Sequence, residues 1–275
     1  MAQLTLSELF VFPIKSAAGI SVEAANLTRR GLESDRTFMV VTPDGHFLTQ
    51  RRFPKMALIT ASPVTPTHVV INAPGLSELP VSGEIDGCDR PVEVDVWGDR
   101  LTAHSCGPDA AEWFSQFLGT PCQLVHLPDT AKRPTDHGKL GPDEMVSFAD
   151  AYPYLLLSEA SLQNLNQKLV AKNEAPVTMN RFRPNLVVSG DISPHAEDEW
   201  KRIRIGEAIF KVAKPCSRCS VPNVNQETGR RTQEPSRTLA TYRAWDKEIW
   251  FGQNLIQENP ERFRLKVGDD VEILA

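Results

Sequence analysis

Two cysteines three positions apart, Cys216 and Cys219, are the residues whose type and spacing could do chemistry most directly. Lys214 and Arg218 flank them, and neighbouring cations favour the thiolate, the form of cysteine that attacks electrophiles and binds metals. A strand-like apolar run precedes this segment, and Pro215 is expected to end its regular pairing. We therefore expect both thiols on a loop at the end of a strand, where binding and catalytic residues are often placed.

By spacing alone, this cysteine pair is compatible with three kinds of site. It could be half of a zinc site, a thiol–disulfide redox pair, or two small buried side chains. A structural zinc site usually adds a second Cys or His pair at short spacing, whereas Cys88, Cys106 and Cys122 are dispersed. A thioredoxin-like motif opens a helix after an early strand, whereas this pair comes late in the chain. All three interpretations stay open on spacing.

Composition limits the class of protein and its partners. The chain has 275 residues, 41% of them hydrophobic, which is enough for two domains or for one large core. The net charge of −5 argues against nucleic acid as the main partner. Five cysteines, an odd number, suit a reducing compartment, and no signal-like or membrane-spanning apolar run occurs. We therefore expect a cytoplasmic protein with no membrane partner.

Apolar runs broken by 21 prolines and 16 glycines predict a chain built mainly of strands. Strands are expected over residues 4–15, 37–42, 68–72, 92–97, 186–189, 202–205, 208–212 and 271–274. Residues 46–50 are expected to pair back on residues 37–42 as a hairpin. The candidate residues would then lie at strand ends and in the loops between strands.

Two helices interrupt this pattern. Residues 108–118 predict a helix with Pro108 in the first turn and Gly119 as its C-cap. Residues 158–172 predict a second helix with Ser158 as its N-cap. Residues 128–143 are polar, with several prolines and glycines, which indicates a linker or a mobile loop near a site.

Several polar residues near the predicted strand ends are candidates for binding, although each has an ordinary structural interpretation. Lys15 could be a charge at the end of the first strand, and Arg36 could join Asp35 in bridging neighbouring strands. Arg183 could be a surface charge that flanks a strand. A guanidinium nevertheless offers a rigid fork of donors that matches a phosphate, and an asparagine such as Asn185 offers both a donor and an acceptor.

Longer strings around these residues resemble the MOSC domain, which is named for the C-terminal part of molybdenum cofactor sulfurases. The strings occupy residues 13–16, 35–36, 150–162, 183–185, 214–219, 224–229, 251–254 and 267–271. They occur in the family's order, and the similarity extends over about residues 9–274, essentially the whole chain. The chain is similar above all to the amidoxime-reducing MOSC proteins, the mitochondrial component and its bacterial relatives.

The resemblance implies an α+β, mostly β fold. It implies an N-terminal MOSC-type β-rich domain over residues 1–125 and a MOSC β-barrel domain over residues 126–275, with the cofactor held between them. The implied cofactor is a molybdenum–pyranopterin (molybdenum–molybdopterin), and domain association alone also implies pyridoxal phosphate binding. The implied activity is that of an oxidoreductase that reduces small N-hydroxylated (N–O) compounds.

A separate protein is the implied source of electrons. Some bacterial relatives carry an added ferredoxin domain, whereas this chain stops after Leu274 and Ala275 without the four further cysteines that such a domain needs. We therefore expect electrons from a ferredoxin- or cytochrome b5-like carrier with its reductase. The Lys and Arg residues around the cysteine segment would suit an anionic cofactor or an acidic carrier, or could form a solvated face.

The resemblance assigns roles to single residues, position by position. Cys219 is implied to be the metal ligand and the catalytic residue, since soft thiolates suit such a metal, and Cys216 a neighbour rather than a ligand. The implied cofactor contacts are Lys15, Ser16, Arg36, Asp150, Ala151, Tyr152, Arg183, Asn185, Ser217 and Arg218. Ala151 and Tyr152 depart from the small polar pair of the mitochondrial proteins, so their contacts are expected through the backbone.

One segment departs from the family pattern, and two other functions stay open. Where relatives have Val-Asp-Pro-x-Thr-Gly, this chain has Asn225 and Gln226, so any role of the aspartate is lost and the turn is loosened. The chain could be a molybdenum cofactor or sulfur carrier without reductase activity, with Cys216 or Cys219 carrying a persulfide. It could also be a non-enzymatic β-barrel scaffold with buried thiols.

Overall fold

The structure, a computed structural model, describes residues 4–65, 67–82, 90–138, 144–259 and 262–275. Strands make up 40% of it and helices 17%, so the predicted α+β, mostly β fold class is confirmed. Cys88 and residues 139–143 of the polar loop lie outside the described residues. Within the ranges given above, no helix is long and apolar enough to cross a membrane.

Short strands follow one another through most of the chain. In chain order they are β1 (Leu4–Val11), β2 (Ile20–Val22), β3 (Ala24–Thr28), β4 (Gly31–Leu32), β5 (Phe38–Val41), β6 (Thr60–Thr65), β7 (His68–Asn72), β8 (Leu79–Ser82), β9 (Pro91–Val96), β10 (Asp99–Ser105), β11 (Gln123–His126), β12 (Tyr154–Ser158), β13 (Leu186–Ser189), β14 (Arg202–Ile205), β15 (Ala208–Ser217), β16 (Ala244–Trp245), β17 (Glu248–Gln257), β18 (Arg264–Lys266) and β19 (Asp270–Ile273). The α-helices of the described chain are α1 (Pro108–Leu118), α2 (Glu159–Val170) and α3 (Ser236–Leu239). Short 3₁₀ helices occupy Pro54–Leu58, Thr135–Gly138, Met179–Arg181, Ala196–Asp198 and Val221–Asn223.

Seven of the described strands close into a barrel, in the order β12–β13–β1–β19–β14–β15–β17 and back to β12. β12 and β13 are parallel, which is possible because α2 crosses between them, and the other neighbours are antiparallel. A bulge in β1 between Leu6 and Glu8 shifts the alternation by one residue, so Leu6 and Leu9 both lie in the core. Tyr154 and Phe210 pack edge to face in the same core.

A second sheet, in the order β5–β11–β10–β9, packs against α1. Phe38 of β5, Leu124 of β11 and Phe114 of α1 are fully buried in one cluster. A parallel bridge between Ile14 and Phe38 joins this sheet to the chain that leaves the barrel strand β1. The residues after Ile14 therefore lie at the junction of the barrel and the second sheet.

The expected division between residues 125 and 126 stays a prediction. β1 precedes that division in the chain, yet it lies in the barrel between β13 and β19. The first residues of the chain and its C-terminal strand are therefore neighbours.

The helices were predicted closely. α1 spans Pro108–Leu118, and Gly119 follows it in the left-handed conformation at φ 69°, as expected of a C-cap. α2 begins after Ser158, whose side chain accepts a hydrogen bond from the Ser161 N–H, so the predicted N-cap is confirmed. Its end at Val170 comes two residues before the predicted end at residue 172.

The cysteine segment departs from the prediction, because β15 continues through Pro215 and includes Cys216. Pro215 has no N–H to pair, and the register of β15 against β17 shifts on both sides of it. Bulges of this kind let a strand pass a proline. Cys219 lies beyond the strand, so the expectation that both thiols lie on a loop is wrong for Cys216.

Two other segments also differ from the prediction. β1 ends at Val11, so Lys15 follows the strand at some distance rather than closing it. The hairpin expected at residues 46–50 is reduced to a single bridge, between Val41 and Phe47, because the chain turns away into the 3₁₀ helix that begins at Pro54. The segments after β1 and after β5 are therefore loops, and both lie at the junction between the barrel and the second sheet.

Candidate functional site

One cavity collects every residue to which the sequence assigned a role. The space between its walls, counted out to the open mouth, is about 850 Å³. The predicted residues on its wall are Lys15, Ser16, Arg36, Asp150, Ala151, Tyr152, Arg183, Asn185, Ser217, Arg218 and Cys219. They come from five separated segments of the chain, so the fold brings them together.

Lys15 is held at the floor of this cavity by the segment that precedes β12. Its side chain is 5% exposed, and its Nζ donates to the Phe148 carbonyl at 2.7 Å and to Asp150 Oδ1 at 2.5 Å. Ser16, the next residue, adopts the left-handed conformation at φ 65°, which turns the chain back along the cavity. The simple interpretation of Lys15 as a charge at a strand end is therefore wrong.

The Lys15–Asp150 pair is charged at neutral pH. Burial lowers the pKa of Lys15 to about 8, against the opposing attraction of Asp150. Burial alone would raise the pKa of Asp150, but Lys15 and the Trp97 indole, which donates to Asp150 Oδ1 at 3.0 Å, hold the pKa of that carboxyl well below its usual range. The Asp150 side chain is 71% exposed, so the carboxylate is accessible from the cavity.

Arg36 joins the loop after β4 to the loop before β13. Its Nη1 donates to Asp35 Oδ2 at 2.5 Å and to Asn185 Oδ1 at 3.0 Å, and its Nη2 to the Arg183 carbonyl at 3.2 Å. Asp35 is buried and also accepts the Phe12 N–H at 2.9 Å. The expected Asp35–Arg36 bridge is thus present, and Arg36 also lines the cavity.

Asn185 has less capacity for a ligand than its residue type suggested. Its Oδ1 accepts from Arg36 and from the Leu155 N–H at 3.3 Å, and its Nδ2 donates to the Phe10 carbonyl at 3.2 Å. An amide nitrogen has two hydrogens, so one donor remains for the cavity. The expectation that Asn185 offers a ligand both a donor and an acceptor is corrected to a donor alone.

Arg183 lies in the cavity wall rather than on an open surface. It is held in the left-handed conformation at φ 59°, its guanidinium donates to the Ala17 carbonyl, and it stacks 4.2 Å from the Phe12 ring centroid. Burial, and after it the neighbouring Arg36, lower the pKa of Arg183. Since a guanidinium stays protonated in proteins, the fold bears the cost of burying this charge and, after it, of repulsion from Arg36, and a bound anion would relieve both.

The two thiols differ in exposure and in partners. Cys216 is partly exposed, and its Sγ accepts from Arg218 Nη1 at 3.1 Å. Arg218 Nη2 donates to the Phe182 carbonyl at 2.7 Å, while its buried Nε has no partner in the described structure. Cys219 is exposed at the cavity. The interpretation of this pair as two buried side chains is therefore wrong.

Ala151 and Tyr152 contribute another part of the cavity wall. The Ala151 carbonyl accepts the Asp136 N–H at 3.1 Å, and the Tyr152 hydroxyl donates to Asp136 Oδ2 at 3.0 Å. Lys214 lies 3.6 Å from the same carboxylate oxygen and 5.1 Å from the Tyr152 ring centroid. Burial, then Asp136, raise the pKa of Tyr152, so its hydroxyl stays protonated at neutral pH.

Several residues of the cavity wall were not predicted from the sequence. They are Thr49, Arg51, Ala149, Leu155, Phe182, Val221 and Asn254. Asn254 lies in a string that had been recognised, so its place in the cavity could have been inferred. Arg51 had a weaker signal, an Arg-Arg pair after the predicted hairpin. Leu155 also lies in a recognised string, whereas Ala149, Phe182 and Val221 carried no signal, because their place depends on how distant elements pack.

The charge of the wall fits an anion. Among the described residues of the cavity, five cationic side chains stand against the single carboxylate of Asp150: Lys15, Arg36, Arg51, Arg183 and Arg218. The buried Nε of Arg218 has no partner in the described structure, so the protein does not use all the donors of this guanidinium. Charge-assisted hydrogen bonds to phosphate or carboxylate are the strongest contacts that such a wall can make.

Comparison with known proteins fits this geometry. Two family models match, the MOSC N-terminal beta barrel domain over residues 3–121 and the MOSC domain over residues 143–272. The chain belongs to the MOSC family. The MOSC resemblance drawn from the sequence is thereby confirmed, and the expected division at residues 125 and 126 falls between the two matches.

Relatives within the MOSC family cover most of the chain. Mitochondrial amidoxime reducing component 2 of Bos taurus is 35% identical over 97% of this chain and 82% of its own length. Mitochondrial amidoxime-reducing component 1 of Homo sapiens is 33% identical over 98% of this chain and 83% of its own. Molybdenum cofactor sulfurase of Oryza sativa subsp. japonica is 34% identical over 92% of this chain, but only 32% of that protein is covered.

Proposed function

We propose that this protein is a molybdenum cofactor-dependent oxidoreductase that reduces small N-hydroxylated compounds. The observation that carries the proposal is the cavity, in which a cationic wall lies beside the exposed thiol of Cys219. Relatives named as amidoxime-reducing components, which match over nearly the whole chain, support the reaction class.

The cationic wall would hold the phosphate of a molybdenum–pyranopterin. Lys15, Arg36 and Arg183 come from three different loops and converge on one cavity, as an anion clamp requires. Their guanidinium and ammonium groups would form charge-assisted hydrogen bonds to phosphate oxygens. The remaining donor of Asn185 would reach the edge of the heterocycle.

Cys219 would supply the protein's ligand to the metal. No group of three or more His, Cys, Asp or Glu side chains within the described ranges could hold a metal ion by itself. A single soft thiolate therefore fits a metal that arrives with ligands of its own, as on an organic cofactor, better than it fits a zinc site. When bound, the cofactor would supply the two-electron chemistry.

The surrounding residues would orient the substrate and keep their own protons. Reduction of an N–OH group takes two electrons and two protons and releases water. The Tyr152 hydroxyl is bound to Asp136, and the Lys15 ammonium to Asp150, so both groups would serve as fixed donors rather than as mobile bases. Electrons would come from a ferredoxin- or cytochrome b5-like carrier with its reductase.

Metal analysis tests the proposal directly. Protein made in a molybdenum-replete host should contain molybdenum and yield pterin fluorescence after oxidation, and it should reduce a benzamidoxime with reduced viologen but not with NADH or NADPH. Cys219→Ser should lose molybdenum while the fold survives, whereas Cys216→Ser, the matched control, should keep it. Equal molybdenum in the parent and Cys219→Ser overturns the ligand assignment. A molybdenum-loaded parent that reduces no N-hydroxylated compound overturns the reductase.

A molybdenum cofactor or sulfur carrier is the second candidate function. Arg218 Nη1 lies 3.1 Å from Cys216 Sγ, a contact that would stabilise a persulfide anion as well as a thiolate, and the sulfurase relative points the same way. Incubation with a persulfide donor, followed by mass analysis, should then show one added sulfur on Cys216 or Cys219.

Neither pyridoxal phosphate binding nor a cytoplasmic location gains support from the cavity, and both stay predictions. Pyridoxal phosphate forms a Schiff base with a lysine amine. The lysine of the described wall, Lys15, has its amine bound to Phe148 and Asp150. A cytoplasmic location likewise stays a prediction from the sequence.

A further inference from the structure

Arg51 differs from the other cations of the cavity in having unused donors. Within the part of the chain that the structure describes, its guanidinium has no hydrogen-bond or ion-pair partner, although it lies on the cavity wall. Lys15, Arg36, Arg183 and Arg218 each donate to at least one protein oxygen. A guanidinium carries five N–H donors, and partly buried donors of this kind normally find acceptors.

The position of Arg51 is nevertheless fixed. Its Cζ lies 4.4 Å from the ring centroid of Trp97, within cation–π distance. The Arg231 guanidinium donates to the carbonyls of Gln50 and Arg51, which anchors the backbone as well. A guanidinium stacked on a ring keeps the N–H groups at its edge free for a ligand in its own plane.

Trp97 in turn is fixed to the cavity. It follows β9 in a left-handed turn at φ 58°, its Nε1 donates to Asp150 Oδ1 at 3.0 Å, and its ring meets Phe47 edge to face at 4.9 Å. Asp150 Oδ1 also accepts from Lys15, and the charge of Arg51 acts on this carboxylate without a hydrogen bond. The indole therefore holds the Arg51 guanidinium beside the cavity without using its donors.

We propose that Arg51 is an oxyanion-binding residue of the cavity and that Trp97 is its positioning residue. The ligand would be a phosphate or carboxylate group, because both match the planar fork of a guanidinium. The source would be either the phosphate of the bound cofactor or an acidic group of the substrate. The assignment of that source rests on the proposed function, whereas oxyanion binding does not.

Inorganic phosphate is the first probe. Calorimetric titration would compare the full-length, cofactor-free parent with Arg51→Gln and with Arg52→Gln. Arg52 is the matched control, because it is the next residue, carries the same charge, is exposed and is absent from the cavity wall. Loss of one charge-assisted contact should weaken phosphate binding by Arg51→Gln about tenfold and leave Arg52→Gln like the parent. Equal weakening in both variants, or in neither, overturns the proposal.

Two further arms identify the source of the oxyanion. If the cofactor supplies it, Arg51→Gln retains less molybdenum and pterin after gel filtration than Arg52→Gln. If the substrate supplies it, cofactor content is unchanged, and the KM for a carboxylate-bearing benzamidoxime rises about tenfold while that for benzamidoxime itself stays constant. A variant that changes neither quantity overturns the assignment of a functional oxyanion. The phosphate titration needs no molybdenum and no electron donor, so it stands even if the reductase is not found.

Trp97 is tested by whether its effect depends on Arg51. Trp97→Phe keeps a ring beneath the guanidinium and should bind phosphate nearly as the parent does, whereas Trp97→Leu should weaken binding several-fold. In the Arg51→Gln background, Trp97→Leu should have no further effect, because a residue that acts through another is not additive with it. Full additivity of the two changes overturns the positioning role.

Discussion

Arginines at the cavity and arginines behind its wall differ in how their donors are used. Arg133, whose side chain is 2% exposed, donates through Nε to Asp99 and through Nη1 and Nη2 to the carbonyls of Ser147, Ala149 and Asp150. Its donors thus end on the backbone that forms the cavity's floor. Arg133 builds the wall and has little left for a ligand.

The cavity arginines are the opposite case. Arg218 has a buried Nε without a partner in the described structure, and Arg51 stacks on an indole with its donors unused. Arg183 lies near Arg36, and burial together with this repulsion lowers its pKa. The arginines of this site therefore have two roles. Those whose N–H groups are hydrogen-bonded to backbone carbonyls hold the wall in place, and those with unused N–H groups can bind an anion.

The largest expected effect is the loss of a wall-building arginine. Arg133→Met should lower the free energy of unfolding by about 3–5 kcal/mol, because it removes the donors that three backbone carbonyls and Asp99 Oδ2 accept from. Urea denaturation followed by circular dichroism measures this. The control is Lys132→Met, which removes the exposed neighbouring cation and should change stability by less than about 0.5 kcal/mol. A loss in Arg133→Met no larger than in the control would erase the distinction between the two groups.

The second prediction concerns a cavity arginine. Arg183→Gln should retain the cofactor at least about tenfold less tightly, since a charge-assisted contact is worth roughly 1.5–3 kcal/mol. The stability of the cofactor-free chain should hold or rise, because repulsion with Arg36 is relieved. Molybdenum retained on gel filtration and thermal melting give the two quantities. Arg204→Gln, which removes an exposed cation paired with Glu272, is the control. If Arg183→Gln instead lowers the melting temperature strongly and retains the cofactor normally, Arg183 stabilises the wall, as Arg133 does, and does not bind the cofactor.

The sequence predicted those features that depend on neighbouring residues. α1 was placed correctly because Pro108 and Gly119 mark its ends locally. The passage of β15 through Pro215 could not be predicted, because the bulges that accommodate the proline exist only against β17. Elements defined by their own caps can be read from the chain, whereas elements defined by a partner strand cannot.

The same limit applies to the site. Family strings located Lys15 and Arg183, but they could not say that the Lys15 amine is held by the Phe148 carbonyl, which lies far along the chain. The Arg51–Arg52 pair was visible in the sequence, yet which arginine faces the cavity depends on Trp97, in the turn between β9 and β10. The sequence could predict many of the residues that line the site, but it could not predict which acceptor each N–H donor is bonded to.

A third, smaller effect depends on pH. The pKa of Lys15 is lowered to about 8 in the folded chain, from its ordinary 10.5. The charged form is therefore the costly one in the fold, and the contribution of Lys15 to the free energy of unfolding rises with pH between about 8 and 10.5. The affinity for phosphate should instead fall several-fold as the pH rises past about 8, because the Lys15 ammonium then loses its proton and its charge. Phosphate titrations at successive pH values measure this.

Lys15→Arg is the control for that pH dependence. A guanidinium stays charged across the range, so the variant should bind phosphate without the step near pH 8. A step that persists unchanged in Lys15→Arg would assign the titration to another group. In that case, Lys15 would be a purely structural cation like Arg133, and the division between wall and cavity would have to be redrawn.

The smallest expected effect lies where this chain departs from its relatives. Gln226 lies in the segment that was expected from the sequence to differ from the family pattern, and its side chain forms a reciprocal amide pair with the fully buried Gln50. Gln226 Nε2 donates to Gln50 Oε1 at 3.1 Å, and Gln226 Oε1 accepts a longer bond from Gln50 Nε2 at 3.4 Å. Gln50 Nε2 also donates to the Ser16 carbonyl at 2.9 Å. The pair therefore fastens the loop after the thiols to the loop that carries Ser16, using neutral donors only.

Gln226→Leu should lower the free energy of unfolding by about 1 kcal/mol, since it leaves Gln50 Oε1 buried without its donor. Cofactor retention should change less than twofold, because Gln50 still holds Ser16 and no charge on the wall is altered. Gln233→Leu, at an exposed glutamine of the same region, is the matched control and should leave both quantities unchanged. Urea denaturation and molybdenum retention supply the test. Should Gln226→Leu release the cofactor as strongly as Arg183→Gln, neutral contacts between loops would govern retention, and the unused donors of the cavity arginines would no longer explain it.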